Sequence, residues 1–443
     1  MSIMKIERKR GEGMSNEGFD VIVVGAGVAG NVAAYLLGRE GLQVLLIERG
    51  NYPGSKNMTG GRIYSHSLEK IMPDFAKEAP IERKITREKV FMMTEKSSIG
   101  LDFQSSLLGT HGSDSYSVLR GVFDQWLAEK AEEVGVEIVT GICVDDLIIR
   151  QGKVCGVIAG IDQIESGVTI LADGINSLLA QKAGLRKEFK PSHVAVGVKE
   201  LIELPAELIQ ERFQCNENEG TACMFAGFPS DGRIGGGFLY TNKESISLGV
   251  VCTLSDLIKG QKALPQLMED FKTHPTVAPL IKEGKLVEYS GHLVPEGGVE
   301  MMPKIIGDGV LVVGDAAGFC VNLGYAVRGM DFAIASGECA ARAVSKAYQG
   351  GGYSEGDLQV YRDYLEESFV LHDMKLYRNF PKFLETTPRV FSDYPKLLEG
   401  IMTDMFVMNG QPTQALVKTI MKHINKVGVL KITRDAWKGV RSV

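Results

Sequence analysis

The stretch that decides the fold is VIVVGAGVAGNVAAYLLGRE, residues 21–40. Its first 18 residues carry no charge, and about 20 apolar residues in a row are enough for a membrane-spanning helix. Gly25, Gly27 and Gly30 argue against that interpretation, because they form the pattern G-x-G-x-x-G directly after an apolar run typical of a buried parallel strand. The sequence therefore predicts a strand, a tight turn and a helix.

The residues that follow complete a dinucleotide-binding fingerprint. A helix is predicted over 28–40, and LQVLLIERG adds a second strand that ends at Glu48, roughly 20 residues beyond the glycines. Gly25 permits the tight turn, Gly27 lets a pyrophosphate approach the backbone, and Gly30 allows close packing of helix on strand. The amide groups of the helix N-terminus attract phosphate, and we expect Glu48 to accept hydrogen bonds from a ribose.

Composition sets the class of the protein. The chain has 443 residues, of which 44% are hydrophobic and 23% charged, as in ordinary globular proteins. A net charge of -6 argues against a general nucleic-acid binder. The basic segment 1–18 lacks the apolar core of a secretory signal and is expected to be a flexible extension. Seven cysteines without zinc or iron–sulfur spacing predict reduced thiols in the cytoplasm and no metal site.

The order of patterns along the chain predicts one domain interrupted by another. Alternating strand and helix patterns occupy 19–75, 117–185 and 300–348, which we assign to a discontinuous nucleotide-binding domain. Strand patterns dominate 76–116 and 186–299, which we assign to a β-rich domain. A helical region, predicted to serve partner or membrane contact, covers residues 349–443.

Two further motifs lie far from the fingerprint. ILADGINSLLA contains Asp173 and Gly174 after a strand, and LVVGDAAGF places Gly314 and Asp315 after another. We expect Asp315 to bind a ribityl hydroxyl group of a flavin, although a helix N-cap is an alternative role for an aspartate there. A long helix predicted from about Tyr325 would direct its N-terminus toward the flavin ring.

Together these motifs resemble the FAD-dependent superfamily related to glutathione reductase and p-hydroxybenzoate hydroxylase. More specific phrases are similar to electron transfer flavoprotein:quinone oxidoreductase: GGGFLYTNKESISLGVV (235–251), FKTHPTVAPLIKEGKLVEYSGHLVPEGG (271–298) and MMPKIIGDGVLVVGDAAGF (301–319). YPGSKNMTGGRIY (52–64) resembles the bacterial FixC-type members, and the similarity extends over roughly residues 19–440. The resemblance implies an α/β fold with a Rossmann-like FAD-binding domain, an inserted mainly-β quinone domain and a helical C-terminal region.

The resemblance also implies a function. An FAD would pass electrons from an electron-transferring flavoprotein pair (FixA/FixB-like) to a membrane quinone, either ubiquinone or menaquinone. Single-chain members bind a [4Fe–4S] cluster through C-terminal cysteines, but this sequence has none after Cys339. We therefore expect the cluster on a separate ferredoxin-like (FixX-like) subunit of an electron-bifurcating complex. The alternatives are a geranylgeranyl-reductase-like or hydroxylase-like flavoprotein, and a scaffold that binds FAD only structurally.

The resemblance assigns site residues without assigning a catalytic acid or base. The implied FAD contacts are Gly25, Ala26, Gly27, Val28, Ala29, Gly30, Glu48, Arg49, Lys56, Asn57, Met58, Gly60, Gly61, Arg120, Val144, Asp173, Gly174, Gly314, Asp315 and Gly318. The glycines Gly235 and Gly236 are implied to bind a quinone carbonyl through their backbone. A bulge or strand bend is the alternative explanation of this pair.

The C-terminal tail combines a basic and an apolar helical face. Lys418, Lys422 and Lys426 share one face of a predicted helix, while Leu416, Ile420 and Ile424 share the opposite one. Such a helix suits either an anionic membrane surface or docking on the protein or a partner subunit. Because a quinone is lipid-soluble, we expect a peripheral protein on the cytoplasmic side of the cell membrane, without a transmembrane helix.

Overall fold

The computed structural model describes residues 18–57, 60–410, 412 and 414–443. Met58 and all but the last residue of the predicted extension 1–18 lie outside the described residues. The strands, numbered in chain order, are β1 (Phe19–Val24), β2 (Val44–Glu48), β3 (Gly61–Tyr64), β4 (Ile81–Met93), β5 (Ser98–Gln104), β6 (Ser115–Val118), β7 (Glu137–Thr140), β8 (Asp146–Arg150), β9 (Lys153–Ala159), β10 (Asp162–Leu171), β11 (Val194–Glu203), β12 (Glu219–Gly227), β13 (Gly235–Thr241), β14 (Ser245–Thr253), β15 (Lys285–Pro295), β16 (Ile306–Gly307), β17 (Val310–Val312), β18 (Val321–Asn322) and β19 (Val327–Arg328).

Helices lie between these strands and dominate the C-terminal region. In chain order they are α1 (Val28–Arg39), α2 (His66–Ile71), α3 (Arg120–Glu133), α4 (Leu178–Lys182), α5 (Ala206–Phe213), α6 (Leu254–Lys259), α7 (Leu264–Thr273), α8 (Ala278–Ile281), α9 (Met330–Gly350), α10 (Glu355–Leu358), α11 (Val360–Glu367), α12 (Phe369–Leu376), α13 (Phe380–Thr386), α14 (Asp393–Phe406), α15 (Leu416–Val427) and α16 (Val429–Val440). Among the described residues, no helix has both the length and the hydropathy needed to span a bilayer.

The first sheet forms the nucleotide-binding core. Its order is β16-β17-β10-β1-β2-β7, and the five strands from β17 to β7 run parallel. Val24 ends β1 between Leu171 of β10 and Ile47 of β2, so the segments after these strands meet at one edge. Ligands bind outside the carboxyl ends of the strands in open parallel sheets. The predicted Rossmann-like architecture is confirmed, with α1 within one residue of its predicted bounds and β2 ending at Glu48 as predicted.

The second sheet is larger and mostly antiparallel. Its order is β15-β11-β14-β13-β12-β4-β6-β3, with β5 paired to β4. Strand β3 pairs within this sheet through Gly61 and Val118, although the sequence boundaries assign residues 61–64 to the nucleotide-binding domain. The division into domains stays a prediction, but β3 shows that the chain passes to the second sheet directly after the glycine loop.

The long helix α9 begins later than predicted. Its N-cap is Gly329, so the prediction of a start near Tyr325 is wrong by five residues. The intervening residues form a small hairpin, in which Val321 pairs with Arg328. Gly324 turns this hairpin with a positive φ of 79°, and its amide binds the Asn322 side chain at 2.9 Å. This local turn competes successfully with helix formation.

The C-terminal helices α15 and α16 dock through polar side chains. His423 is buried and its Nε2 lies 2.8 Å from Asp404 Oδ2 on α14. Asp435 is buried as well, and it accepts hydrogen bonds from Arg389 Nε at 2.7 Å, from Arg389 Nη2 at 2.8 Å and from the Tyr394 hydroxyl at 2.7 Å. The inward side of α15 thus carries buried His423 together with half-buried Ile420 and Ile424 of the predicted apolar stripe, whereas Leu416 stays exposed.

We expect Asp435→Asn to loosen α16 without unfolding the protein. The substitution leaves the Arg389 guanidinium without its carboxylate partner, and loss of such a contact costs about 1–3 kcal/mol. Amide hydrogen exchange over residues 429–440 should rise roughly 5- to 140-fold. Asp363→Asn, an exposed site on α11, should leave this exchange unchanged. Equal protection of α16 against exchange in both variants would contradict the conclusion that Asp435 docks this helix.

Candidate active site

The turn between β1 and α1 is sterically committed to glycine. Gly25 has a positive φ of 103°, and a Cβ atom there would lie 2.4 Å from the carbonyl oxygen of Ala172. A Cβ atom on Gly30 would lie 1.9 Å from the Gly25 carbonyl oxygen. The first motif and the Ala172–Gly174 motif therefore pack backbone against backbone, and Gly30 brings helix and strand together as predicted.

The N-terminus of α1 is open at its first turn. Gly27 is the N-cap and has no side chain to bind the first amides. Ala29, in this turn, packs against two later segments. A Cβ atom on Gly314 would lie 3.0 Å from the Ala29 Cβ, and one on Gly337 would lie 2.5 Å from the Ala29 carbonyl oxygen. The segment after β17 and helix α9 thus pack against the α1 N-terminus. Val28, the first residue of α1, is buried.

Glu48 at the end of β2 is held by main-chain amides. Its Oε2 accepts from Ala26 N at 2.9 Å and its Oε1 from Gly50 N at 2.6 Å. The Ile142 amide donates to the Glu48 carbonyl at 3.1 Å, which places the segment leading to half-buried Val144 beside this residue. The side chain of neighbouring Arg49 is exposed. These contacts fix the carboxylate next to the fingerprint, as expected for a ribose ligand.

The loop before β3 brings two glycines to the same region. Lys56 is exposed, whereas Asn57 is half-buried and donates from Nδ2 to Asp124 at 2.7 Å. Gly60 has a positive φ of 74°, and a Cβ atom there would collide with Ser247 Oγ at 2.1 Å. A Cβ atom on Gly61 would lie 3.4 Å from Met330 Sδ, at the first residue of α9.

Arg120 connects the predicted flavin contacts. Its Nε and Nη2 donate to the two carboxylate oxygens of Asp124, each at 2.8 Å, and Asp124 is fully buried. The Arg120 side chain lies 3.8 Å from the Cβ position of Gly27 and 4.0 Å from that of Gly61. The prediction named Arg120 but not Asp124, although their spacing of four residues on a predicted helix is the signal for such a pair.

The second and third motifs contribute two carboxylates with raised pKa values. Burial raises the pKa of Asp173 to about 6, although the hydrogen bond that it accepts from the Ser177 hydroxyl at 3.1 Å acts to lower it. Burial also raises the pKa of Asp315, while Arg120 lowers it. Asp315 keeps an accessible surface, and no described group donates a hydrogen bond to its carboxylate. This carboxylate can therefore accept hydrogen bonds from a ligand.

Three glycines shape the same two motifs through positive φ values. These are Gly174 at 76°, Gly314 at 59° and Gly318 at 74°. The Gly314 amide donates to Ser336 Oγ of α9 at 3.0 Å, and the Gly318 amide closes the turn onto the Asp315 carbonyl at 2.9 Å. The turn that carries Asp315 is thus tied to α9.

Lys199 on β11 is a further residue of this region that the sequence did not single out. Its ammonium is buried, donates to the Gly60 carbonyl oxygen and lies 5.1 Å from the centre of the Phe238 ring. Burial and, after it, the positive charge of Arg120 lower its pKa to about 7. The available signal was a single lysine inside an apolar strand pattern. A lysine in a strand is, however, also typical of a strand at the edge of a sheet.

The predicted quinone glycines lie at the start of β13. Gly235 pairs with Cys252, and a Cβ atom on Gly235 would lie 2.1 Å from the Val251 carbonyl oxygen. A Cβ atom on Gly236 would lie 2.2 Å from the Phe225 carbonyl oxygen. Close strand packing is thus sufficient to require glycine at both positions. Both residues are half-buried, so their backbone remains accessible to a ligand.

The residues present fit an FAD. The open amides at Gly27 suit a pyrophosphate, Glu48 suits the adenosine ribose, and the unpartnered carboxylate of Asp315 suits a ribityl hydroxyl. The charge of Arg120 and the small surface of Gly61 suit the ring. When bound, FAD supplies the transfer of electrons one or two at a time, while these residues hold and orient it.

We expect Lys199→Met to change how the stability depends on pH. A lysine with a pKa of about 7 in the folded chain binds fewer protons there than in the unfolded chain, whose lysine pKa is about 10.4. Wild-type stability therefore gains about 1 kcal/mol for each pH unit between about 7 and 10. The variant lacks this gain. In urea unfolding, its free energy of unfolding relative to that of the wild type should therefore be highest at pH 7 and lower at pH 9. Lys346→Met, an exposed position on α9, should show no such trend.

Three family models match successive parts of the chain. "FAD dependent oxidoreductase" matches residues 20–185, "ETF-QO, ubiquinone-binding" matches 194–294, and "ETF-QO/FixC family C-terminal domain" matches 380–443. The FAD-dependent oxidoreductase model covers the fingerprint, Arg120 and the Asp173–Gly174 motif. The ubiquinone-binding model covers the strands around Gly235 and Gly236. The models confirm the predicted FAD cofactor.

Whole-length relatives agree with these matches. Protein FixC of Escherichia coli (strain K12) is 54% identical over 427 residues, which cover 96% of this chain and 99% of the relative. The probable electron transfer flavoprotein-quinone oxidoreductase YdiS of the same strain is 51% identical over 430 residues, covering 97% of this chain and 100% of the relative.

Solved structures show the same fold at low identity. A geranylgeranyl bacteriochlorophyll reductase-like protein from Thermoplasma acidophilum superposes with a TM-score of 0.71 at 21% identity, over 95% of this chain and 99% of that one. The flavin-dependent brominase Bmp2 superposes with a TM-score of 0.63 at 17% identity, over 93% and 99%. The chain therefore belongs to the ETF-QO/FixC family, and it is an FAD-dependent oxidoreductase of the electron transfer flavoprotein:quinone oxidoreductase type.

Proposed function

We propose that this chain accepts electrons from an electron-transferring flavoprotein pair and passes them through its FAD to a membrane quinone. The observation that carries the proposal is the position of Arg120, whose side chain adjoins the dinucleotide turn at Gly27 and the glycine loop at Gly61. Asp315 and Lys199 lie close enough for the charge of Arg120 to lower the pKa of each. The two sheets therefore face each other across one site.

Positive charge around this site favours an electron-accepting role. Arg120 supplies this charge, and it lies close enough to Lys199 and to His292 on β15 to add to the larger effect of burial in lowering the pKa of each. Fixed positive charge in a buried site stabilises negative charge that develops when electrons arrive. The reaction needs little acid–base apparatus on the flavin side, so these groups act by orientation and electrostatics.

The proposed partners follow from what the chain holds and lacks. FixA/FixB-like subunits would supply electrons from NADH in a bifurcating complex. The residues after Cys339 contain no cysteine, so we assign the [4Fe–4S] centre to a separate FixX-like subunit. The acceptor would be ubiquinone or menaquinone, bound against the backbone of Gly235 and Gly236. The half-buried position of this pair supports that assignment.

Helix α16 offers a surface for peripheral contact with the membrane. Opposite buried Asp435 it exposes an apolar face, on which Leu430 is 85% accessible and Trp437 is 63% accessible. Val429 and Val440 lie on the same face. Arg434 and Arg441 flank it, and basic residues beside an apolar helix face are typical of proteins that lie on anionic membranes. We place this face on the cytoplasmic side of the cell membrane.

We expect FAD reduction to depend on protein partners. In an anaerobic visible-spectrum titration, NADH alone should leave the flavin oxidised, and NADH with the flavoprotein pair and the ferredoxin-like subunit should bleach it. A short-chain quinone should then restore the oxidised spectrum. Direct bleaching by NADH or NADPH would instead favour the geranylgeranyl-reductase-like or hydroxylase-like alternative. A flavin that no partner reduces would favour a structural role.

We expect Leu430→Glu combined with Trp437→Glu to weaken membrane binding. Burial of a large apolar side chain contributes about 1.5–3 kcal/mol, so the double variant should bind vesicles at least about 10-fold more weakly in cosedimentation. Ile161→Glu replaces an equally exposed apolar residue in the turn between β9 and β10 and should bind as the wild type does. Equal binding of all three proteins would contradict a membrane role for α16.

A further inference from the structure

Glu296 is a carboxyl group that the proposed electron path leaves without a role. It follows the last residue of β15, and its backbone amide donates to the His193 carbonyl oxygen at 2.8 Å. Its Oε2 accepts from the Thr253 hydroxyl at 2.8 Å and its Oε1 from Asn322 Nδ2 at 3.3 Å. The side chain thus bridges the end of β14 and the hairpin β18–β19, while part of its surface stays accessible.

The group lies between the two predicted binding regions. On one side, the Thr253 amide donates to the Ile234 carbonyl oxygen at 3.0 Å, directly before Gly235. On the other side, the charges of both Asp315 and Glu296 reach the buried thiol of Cys320, where they add to the effect of burial in raising its pKa. Thr253 therefore links Glu296, through its hydroxyl, with the residue before the quinone glycines, through its amide. Cys320 lies near enough to both Glu296 and Asp315 to feel the charge of each.

The surroundings favour the protonated form of this carboxyl. Burial raises the pKa of Glu296, the charge of Asp256 adds to the increase, and the hydrogen bonds from Thr253 and Asn322 oppose it. Besides Asp256, the titratable groups near enough to feel the charge of Glu296 are the thiols of Cys320 and Cys252. A glutamic acid with a raised pKa is a suitable general acid near neutral pH.

We propose that Glu296 donates a proton to the quinone oxygen during reduction, an inference that rests on the proposed quinone-reductase function. Reduction of a quinone to a quinol consumes two electrons and two protons. A bound FAD in its reduced form would supply the electrons. One proton leaves the Glu296 carboxyl as its O–H bond breaks and the quinone O–H bond forms, and the second comes from solvent. Solvent then reprotonates the Glu296 carboxylate.

A comparison of two oxidants tests this role on the FAD-loaded chain. The flavin is reduced anaerobically, and its reoxidation is followed by stopped-flow absorbance with a short-chain quinone or with ferricyanide. Ferricyanide takes single electrons and no proton. Glu296→Gln should slow reoxidation by quinone roughly 100-fold, the usual contribution of a general acid, and leave reoxidation by ferricyanide within about twofold of the wild type. Glu296→Asp should recover part of the quinone rate.

Controls distinguish proton donation by Glu296 from a purely structural role, in which Glu296 only holds the β18–β19 hairpin through Asn322. Glu300→Gln changes an exposed carboxyl four residues away and should alter neither rate. Equal slowing with both oxidants would show that Glu296 only holds the site together, and unchanged rates would also overturn the proposal. A wild type that quinone does not reoxidise would refute the proposed function itself, and the inference with it.

The wild type alone provides a second measurement, for the case that the variants lose FAD. The ratio of the quinone rate to the ferricyanide rate should be highest at low pH and fall as the pH rises through the pKa of Glu296, because only the protonated acid donates. A ratio that does not change with pH would overturn the proposal without any substitution.

Discussion

The ion pair between Arg120 and Asp124 is the constraint on which the site depends. Two charge-assisted hydrogen bonds in bidentate geometry fix the guanidinium plane, and the carboxylate is completely buried. Asp124 also accepts from Asn57, and its backbone carbonyl accepts from Asn31 of α1 at 3.1 Å. One residue of α3 therefore locks the fingerprint helix and the glycine loop to the same support. A buried pair of this kind is costly to break because the remaining charge has no partner.

This lock also determines the electrostatics of the site. Arg120 lies near enough to lower the pKa values of Lys199, His292 and Asp315, which come from three separate elements. For Lys199 and His292, burial is the larger cause and also lowers the pKa. Arg120 itself remains protonated, so the site keeps its positive charge there. For Asp315 burial opposes ionisation while Arg120 favours it. The arrangement suits a cofactor whose phosphates and reduced ring are both anionic.

Local patterns sufficed for the first α/β unit but not for contacts between distant segments. The β1–α1–β2 unit follows from hydrophobic periodicity and from the spacing of Gly25, Gly27 and Gly30, both of which can be read within one short stretch of sequence. Lys199 was missed because its partners lie on other elements. The same holds for the contacts of Asp124 with Asn31 and Asn57, although its spacing from Arg120 was visible in the sequence. The start of α9 was misplaced because a hairpin around Gly324 competes with helix formation over the same residues.

The same reasoning explains why the sequence left open what the C-terminal tail contacts. An amphipathic pattern shows that two faces differ, but it does not say which one turns inward. In α16 the inward residue is Asp435, whose desolvation is offset by Arg389 and Tyr394. Turning Leu430 or Trp437 inward would stabilise the chain by about 1.5–3 kcal/mol each. An outward apolar face is therefore favourable only where it meets another apolar phase. The proposed peripheral contact with the membrane would supply that phase for α16.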